Sequence, residues 1–269
     1  LEKMSMHIAN PMERWGPANA VWVWKYHLTE HKYVIAADIA RGDAADYSAF
    51  QVIDVSNSEQ VAEYKGKLPP DQFAVLLAEA GKRYGNALIC PENNTYGYAT
   101  IMKLVEIGYR ELYFKSEKDK FATLYGNSTP DISRIGFQTN AVSRGQILTK
   151  LEEVIRTNSV RFYSARLYDE LKTFIWKGSK AQAQKGKNDD LVISTAIATW
   201  LFDADPNRSK QSVDVNKAML AGFALNTKPI DQTSHPWKNR TFNPFKPQDW
   251  PNMPASGSND GIDYAWLLS

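Results

Sequence analysis

The sequence has a single cysteine, Cys90, among 269 residues, so it can form no internal disulfide and no thiolate-built zinc site. Cys90 lies in the apolar run Ala87–Cys90 and reads as a buried, inert thiol suited to a reducing compartment. Histidine is nearly as scarce, and His7, His27 and His31 do not recur at metal-ligand spacing. No apolar run approaches the roughly 20 residues a membrane-spanning helix needs, and no basic-then-apolar leader opens the chain. No G-x-x-x-x-G-K-[ST] phosphate loop occurs, which excludes nucleotide chemistry of that kind by these residues themselves. Net charge is lacking too: a formal +2 provides no whole-molecule field for nucleic acid, so such a partner must be held by local charge.

What is present suits one well-filled domain of about 150–200 residues with extensions, since 43% of the chain is hydrophobic and eight residues are tryptophan. The first residue is Leu1, which reads as the start of a piece cut from a longer protein. Residues 1–31, broken by Pro11 and Pro17, read as an N-terminal packing arm or linker, with Ala20–Leu28 as an edge strand or short arm. From residue 204 to 269 the texture changes: seven of the 13 prolines lie there among many Asn and Ser, a C-terminal arm by composition. The main domain is therefore expected over residues 32–203.

Within it, Tyr33–Ala37 is an apolar, β-favouring strand in which Asp38 appears where the run should continue. Ala40–Asp46 reads as a turn, Ser48–Val55 as a second strand and Gln60–Gly66 as a third, antiparallel to it. Pro69 and Pro70 open an amphipathic helix over about 71–84, with Phe73, Leu76, Leu77 and Ala80 on one stripe. Asn86–Pro91 is a short buried strand closed by its proline, followed at once by Glu92 and a helix over about 98–107. Further on, Leu112–Lys115 and Arg134–Thr139 are strand candidates, and residues 116–133 form a polar excursion. Helical spacing predicts helices over 142–156 and 165–176, with a short β-like piece at Val160–Tyr163 between them. Lys177–Lys187, with four lysines, two glycines and no acid, reads as a mobile basic loop. The run LVISTAIATWLF after Asn188, Asp189 and Asp190 is apolar on nearly every face, which predicts a buried helix.

Three acidic positions thus sit at structurally expensive places. Asp38 either ends its strand as a turn former or needs a cation, because a buried unpaired carboxylate costs several kcal/mol. Glu92 stands either in the crevice where open α/β sheets place ligands or beside a helix N-terminus that favours its charge. Asp189 and Asp190 can cap the last helix, yet one acid suffices for that. Carboxylates without histidine or cysteine are hard oxygen ligands suited to Mg²⁺ or Mn²⁺. Two such ions about 3.5–4 Å apart activate a water and stabilise the leaving oxygen of a phosphodiester.

The stretches YVIAADIARGDAADYSAF, ICPENNTYGYAT and KNDDLVISTAIATW, in this order over about residues 20–203, resemble the three acidic motifs of the C-terminal nuclease domain of tailed-phage large terminase subunits. That resemblance implies an α/β, RNase H-like mixed sheet with helices on both faces. It also implies Asp38, Glu92 and one of Asp189 or Asp190 as metal ligands to two Mg²⁺ or Mn²⁺ ions, with Asp46 as an accessory acid. Asp190 is the expected ligand of the pair, because Asn188 and Asp189 are natural caps. The implied activity is endonucleolytic cutting of concatemeric double-stranded DNA during viral genome packaging. An upstream ATPase domain, portal and small terminase subunit are the expected partners, no membrane is involved, and the expected location is the host bacterial cytoplasm at the procapsid. Lys177, Lys180, Lys185 and Lys187 would track DNA phosphates beside the metals. A transposase- or resolvase-type nuclease of the same fold, or a non-catalytic docking domain of the packaging motor, are the competing readings.

Overall fold

The computed structural model describes residues 1–43, 46–115, 131–177 and 180–203, with backbone alone for residues 176, 177, 180 and 203. The described residues belong to a compact unit, Leu1–Val213; the expected C-terminal arm and most of the expected excursion at 116–133 lie outside them.

After a first helical turn, α1 (Glu2–Ser5), six strands form one mixed sheet: β1 (Glu13–Trp15), β2 (Val21–Val23), β3 (Tyr33–Asp38), β4 (Ser48–Asp54), β5 (Glu59–Gly66) and β6 (Leu88–Pro91). Their order is β1-β2-β5-β4-β3-β6, with β3 and β6 parallel and every other neighbour antiparallel. β3, β4 and β5 follow one another in the chain and in the sheet, and a short turn joins β4 to β5. The chain then crosses the sheet through α2 (Pro70–Arg83) to lay β6 on the far side of β3. The Ala20–Leu28 segment supplies β2, and with β1 it draws part of residues 1–31 into the same sheet.

Alternation along the strands sorts side chains between two cores. Ile35, Ala37, Phe50, Val52, Ala62 and Tyr64 pack with Phe73 and Leu77 of α2 and with Ile101 and Leu104 of α3 (Gly97–Glu106). Val34, Ala36, Ala49 and Ile53 face the other way, onto α4 (Ala141–Thr157), α5 (Ala165–Thr173) and α6 (Asp190–Asp203). Local chemistry sets the helix ends. Asn140 and Ser143 form a reciprocal capping box at α4, Asn158 ends that helix in the left-handed conformation, and Ser164 accepts the Leu167 N–H at the start of α5. Helix α6 is apolar all round because β3, β4, α4 and α5 all pack on it. Its buried Ser194 and Thr195 hydroxyls donate back to the carbonyls of Asp190 and Leu191, at 2.9 and 2.6 Å.

Four expected elements differ. Leu112–Lys115 and Arg134–Thr139 make single bridges, Ile89 to Leu112, Phe114 to Ile135 and Glu92 to Phe137, in place of full strands. Helix α5 stops at Thr173, and Phe174–Lys177 (β7) pairs antiparallel with Lys180–Ala183 (β8), so half of the expected basic loop is a β-hairpin. Lysine content suggested a solvated loop. The β-favouring Phe174, Ile175 and Trp176 and the alternation of KAQA, which turns Ala181 inward to the second core, prevail over it.

Candidate active site

Period-two alternation delivers the first two acids to one spot. Asp38 shares the parity of Val34 and Ala36, and Glu92 that of Leu88 and Cys90, so both point to the α6 side of the sheet. The parallel register sets Ala37 beside Pro91, and the Glu92 N–H donates to the Ala37 carbonyl at 2.7 Å. The two carboxyls end up within hydrogen-bonding reach of each other. Burial, then the neighbouring Glu92, Asp190 and Asp189 charges, push the Asp38 carboxyl well above the usual range.

Glu92 is buried and oriented by Asn94, whose side-chain amide donates to Glu92 Oε2 at 2.8 Å. Asn94 Oδ1 in turn accepts the backbone N–H groups of Tyr96 and Gly97 at the start of α3, at 3.0 and 2.7 Å. A Cβ on Gly97 would stand 1.8 Å from the Glu92 carbonyl oxygen, so only glycine lets the helix begin this close to the acid.

The third acid comes from α6. Asp190 is buried, and its Oδ2 has no hydrogen-bond partner; the Lys65 ammonium, from β5, lies 3.7 Å from it. Burial pushes the Asp190 carboxyl up to about 7, the Lys65 charge opposing and the Glu170 and Asp189 charges adding. Lys65 is held on its other side by Glu170 of α5, in a very short ion pair. Glu170 Oε2 also accepts the N–H groups of Leu191 and Val192, at 2.9 and 3.2 Å, and so caps α6. Asp189, by contrast, is ion-paired with Arg144 of α4 at 2.8 Å and is partly exposed.

Among the described residues, no group of three or more His, Cys, Asp or Glu side chains is positioned to hold a metal ion by itself. The donor chemistry nevertheless fits hard divalent cations: every candidate donor is a carboxylate oxygen, and one of them is buried without a hydrogen bond.

No family model matches the sequence. Among solved structures, the large terminase nuclease of thermophilic phage G20c is 20% identical, with 72% of this chain and 94% of that chain covered at a TM-score of 0.54. The same nuclease with bound magnesium is 22% identical over 73% and 93%, at 0.55. The large terminase nuclease domain of Thermus phage P74-26 is 20% identical over 72% and 90%, at 0.51. The fold is that of a phage large-terminase nuclease domain.

On this terminase-nuclease fold, the RNase H-like sheet expected from the sequence is present, with Asp38 on the first strand of its antiparallel trio. Asp38 stands against Glu92 and feels the charges of Asp190 and Asp189, and Asp189 is engaged by Arg144. Asp46 is exposed on the stretch before β4, and no hydrogen bond or ion pair among the described residues joins it to the other acids. Lys185 and Lys187 are exposed after the hairpin; the side chains of Lys177 and Lys180 lie outside the described residues.

Three residues beside these acids carry no expectation from the sequence. Lys65 sits on the Glu63 side of β5, and Glu170 sits one turn after Leu167 on the buried stripe of α5. Each carried a signal, a charge on the inward parity of a buried element. Asn94, two residues after Glu92, carried the signature of an Asx turn.

Proposed function

We propose that this chain is a divalent-metal-dependent endonuclease that cuts concatemeric double-stranded DNA during phage genome packaging. The observation that carries this reading is charge balance: Asp38 stands against the buried Glu92 and feels the charge of the buried Asp190, and the Lys65 ammonium, 3.7 Å from Asp190, is the nearby cation. Like charges gathered this way are destabilising unless cations join them. The G20c nuclease, which shares the fold, has been solved with magnesium and with cobalt bound, which supports divalent ions as those cations here.

In this reading Asp38, Glu92 and Asp190 would hold two Mg²⁺ or Mn²⁺ ions. When bound, these ions supply Lewis-acid activation of a water and stabilisation of the leaving oxygen. The protein's own part is positional. Asn94 fixes the Glu92 carboxyl, Glu170 fixes the start of α6 and hence Asp190, and Asp189 with Arg144 braces α6 against α4. Asp190 is the ligand of the acidic pair because its oxygen is uncommitted, whereas that of Asp189 is taken by Arg144. Asp46 serves as an accessory acid near the site, and Lys177, Lys180, Lys185 and Lys187 contact DNA phosphates.

The wider assignment follows the same line: residues 32–203 form the nuclease domain, to whose sheet residues 1–31 add β1 and β2 while joining it to an upstream ATPase domain, with a C-terminal arm over 204–269. Portal and small terminase subunit would be the partners, in the host cytoplasm. No helix among the described residues is long and apolar enough to cross a membrane. Incubating the chain with supercoiled plasmid and Mg²⁺ or Mn²⁺, with and without EDTA, tests the proposal. Metal-dependent nicking is expected. Intact plasmid with either ion would favour a docking domain with silent acids.

A further inference from the structure

Next to the acid cluster lies an open cleft of about 510 Å³, lined by Lys65, Arg166, Asp169, Glu170, Lys172, Thr173, Lys187 and Asn188. Lys65 belongs to both places: its ammonium stands against Asp190 on one side and borders the cleft on the other. We propose that this cleft is a phosphate-binding channel that carries the backbone of one nucleic-acid strand to and from the acid cluster, an inference resting on the nuclease reading above.

The charges around the cleft decide what it accepts. Of its two acids, Glu170 is neutralised by Lys65 and by the two α6 amides it caps. Asp169 is paired with Lys172 in an exposed i,i+3 contact, of a kind that contributes little and yields readily to a better anion. Arg166 is fixed by Glu63, at 2.9 Å, and by stacking on Trp22, at 3.9 Å, so it supplies a rigid wall. Lys187 is exposed at the mouth, and Lys172 is half exposed. The cleft therefore offers two adaptable lysines in front of fixed guanidinium and ammonium groups, which suits a run of phosphates better than a single small anion. Outside it, the Lys65 and Lys67 ammoniums both lie over the Tyr47 ring, at 4.8 and 4.9 Å, so Lys67 adds a second cation beside Lys65.

This path differs from the expected basic loop: it uses α5 and β5, and of the four loop lysines only Lys187 lines it. Binding of a short fluorescent DNA duplex by the full chain, in EDTA to prevent cutting, tests it through anisotropy over a salt series. The Lys172→Ala/Lys187→Ala double variant should lower the log Kd against log salt slope by about 0.9 per lost phosphate contact, about 1.8 in total. Lys103→Ala, on α3 across the sheet, should leave the slope unchanged. In Mg²⁺ the double variant should raise KM and keep kcat. A wild-type slope in the double variant, or an equal loss in Lys103→Ala, would overturn the channel while the nuclease reading stands. Failure of the wild-type chain to bind any duplex would overturn both.

Discussion

The two faces of the same sheet are built for opposite ends. Against α2 and α3, the rings of Phe50, Tyr64 and Phe73 meet at 5.5–6.2 Å, and tyrosine hydroxyls are satisfied at the rim, as in Tyr109 to the Ala87 carbonyl at 2.6 Å. Against α4, α5 and α6, the same strands bury Gln51, Gln60 and Glu63 in a network with Ser164 and Arg166, and they carry Lys65 to Asp190 of α6 and Asp38 to Glu92. Side chains one residue apart on a single strand thus serve different purposes: Phe50 and Gln51, or Ala37 and Asp38. The first face provides stability through apolar burial. The second gives up some of that stability to keep polar groups in fixed places.

The sharpest separation of the two faces comes from the acids. Asp38→Asn and Asp190→Asn should each eliminate Mg²⁺- or Mn²⁺-dependent plasmid nicking with the fold intact, and Asp189→Asn should reduce it by about 10–100-fold as the loss of a supporting group. A reversed ranking of Asp189 and Asp190 would swap their roles. Next in size, Phe73→Ala on the first face should cost about 3–5 kcal/mol in chemical denaturation and leave cleavage per folded molecule unchanged. Loss of activity in proportion to something other than unfolding would show that the faces are coupled.

A smaller effect is expected from pH. Asp38 and Asp190 hold their protons more tightly in the folded than in the unfolded chain, with Asp190 at about 7. Their contribution to stability is present at low pH and is lost as pH rises from about 4 toward 7. Thermal melts of metal-free protein should therefore show this loss, and Asp190→Asn should flatten it. Addition of Mg²⁺ at pH 8 should restore several degrees. The least effect belongs to the exposed lysines: Lys180→Ala/Lys185→Ala/Lys187→Ala should weaken duplex binding uniformly across sequences, by roughly one unit of salt slope per lost contact.

Legibility in the sequence also divided by face. The first face announced itself through local periodicity, as in the Phe73, Leu76, Leu77 and Ala80 stripe, whose residues all reach the core. The acids were legible because each interrupts an apolar run or precedes one. Their supporters were not: Lys65 and Glu170 are 105 residues apart and become partners only when β5 meets α5. The role of Asp189 likewise depends on Arg144, 45 residues before it, so its ion pair has no local trace. The hairpin was hidden for another reason, because lysine content and a period of two point in different directions over the same few residues.

Gly97 carries a consequence for how this domain can vary. The carbonyl of Glu92 occupies the space that any side chain at 97 would need. The clearance between acid and helix is therefore set at the width of a hydrogen atom, by a residue that contributes no chemistry. On the nuclease reading proposed above, Gly97→Ala should therefore lower metal-dependent plasmid nicking as Asp38→Asn does, in protein that still folds.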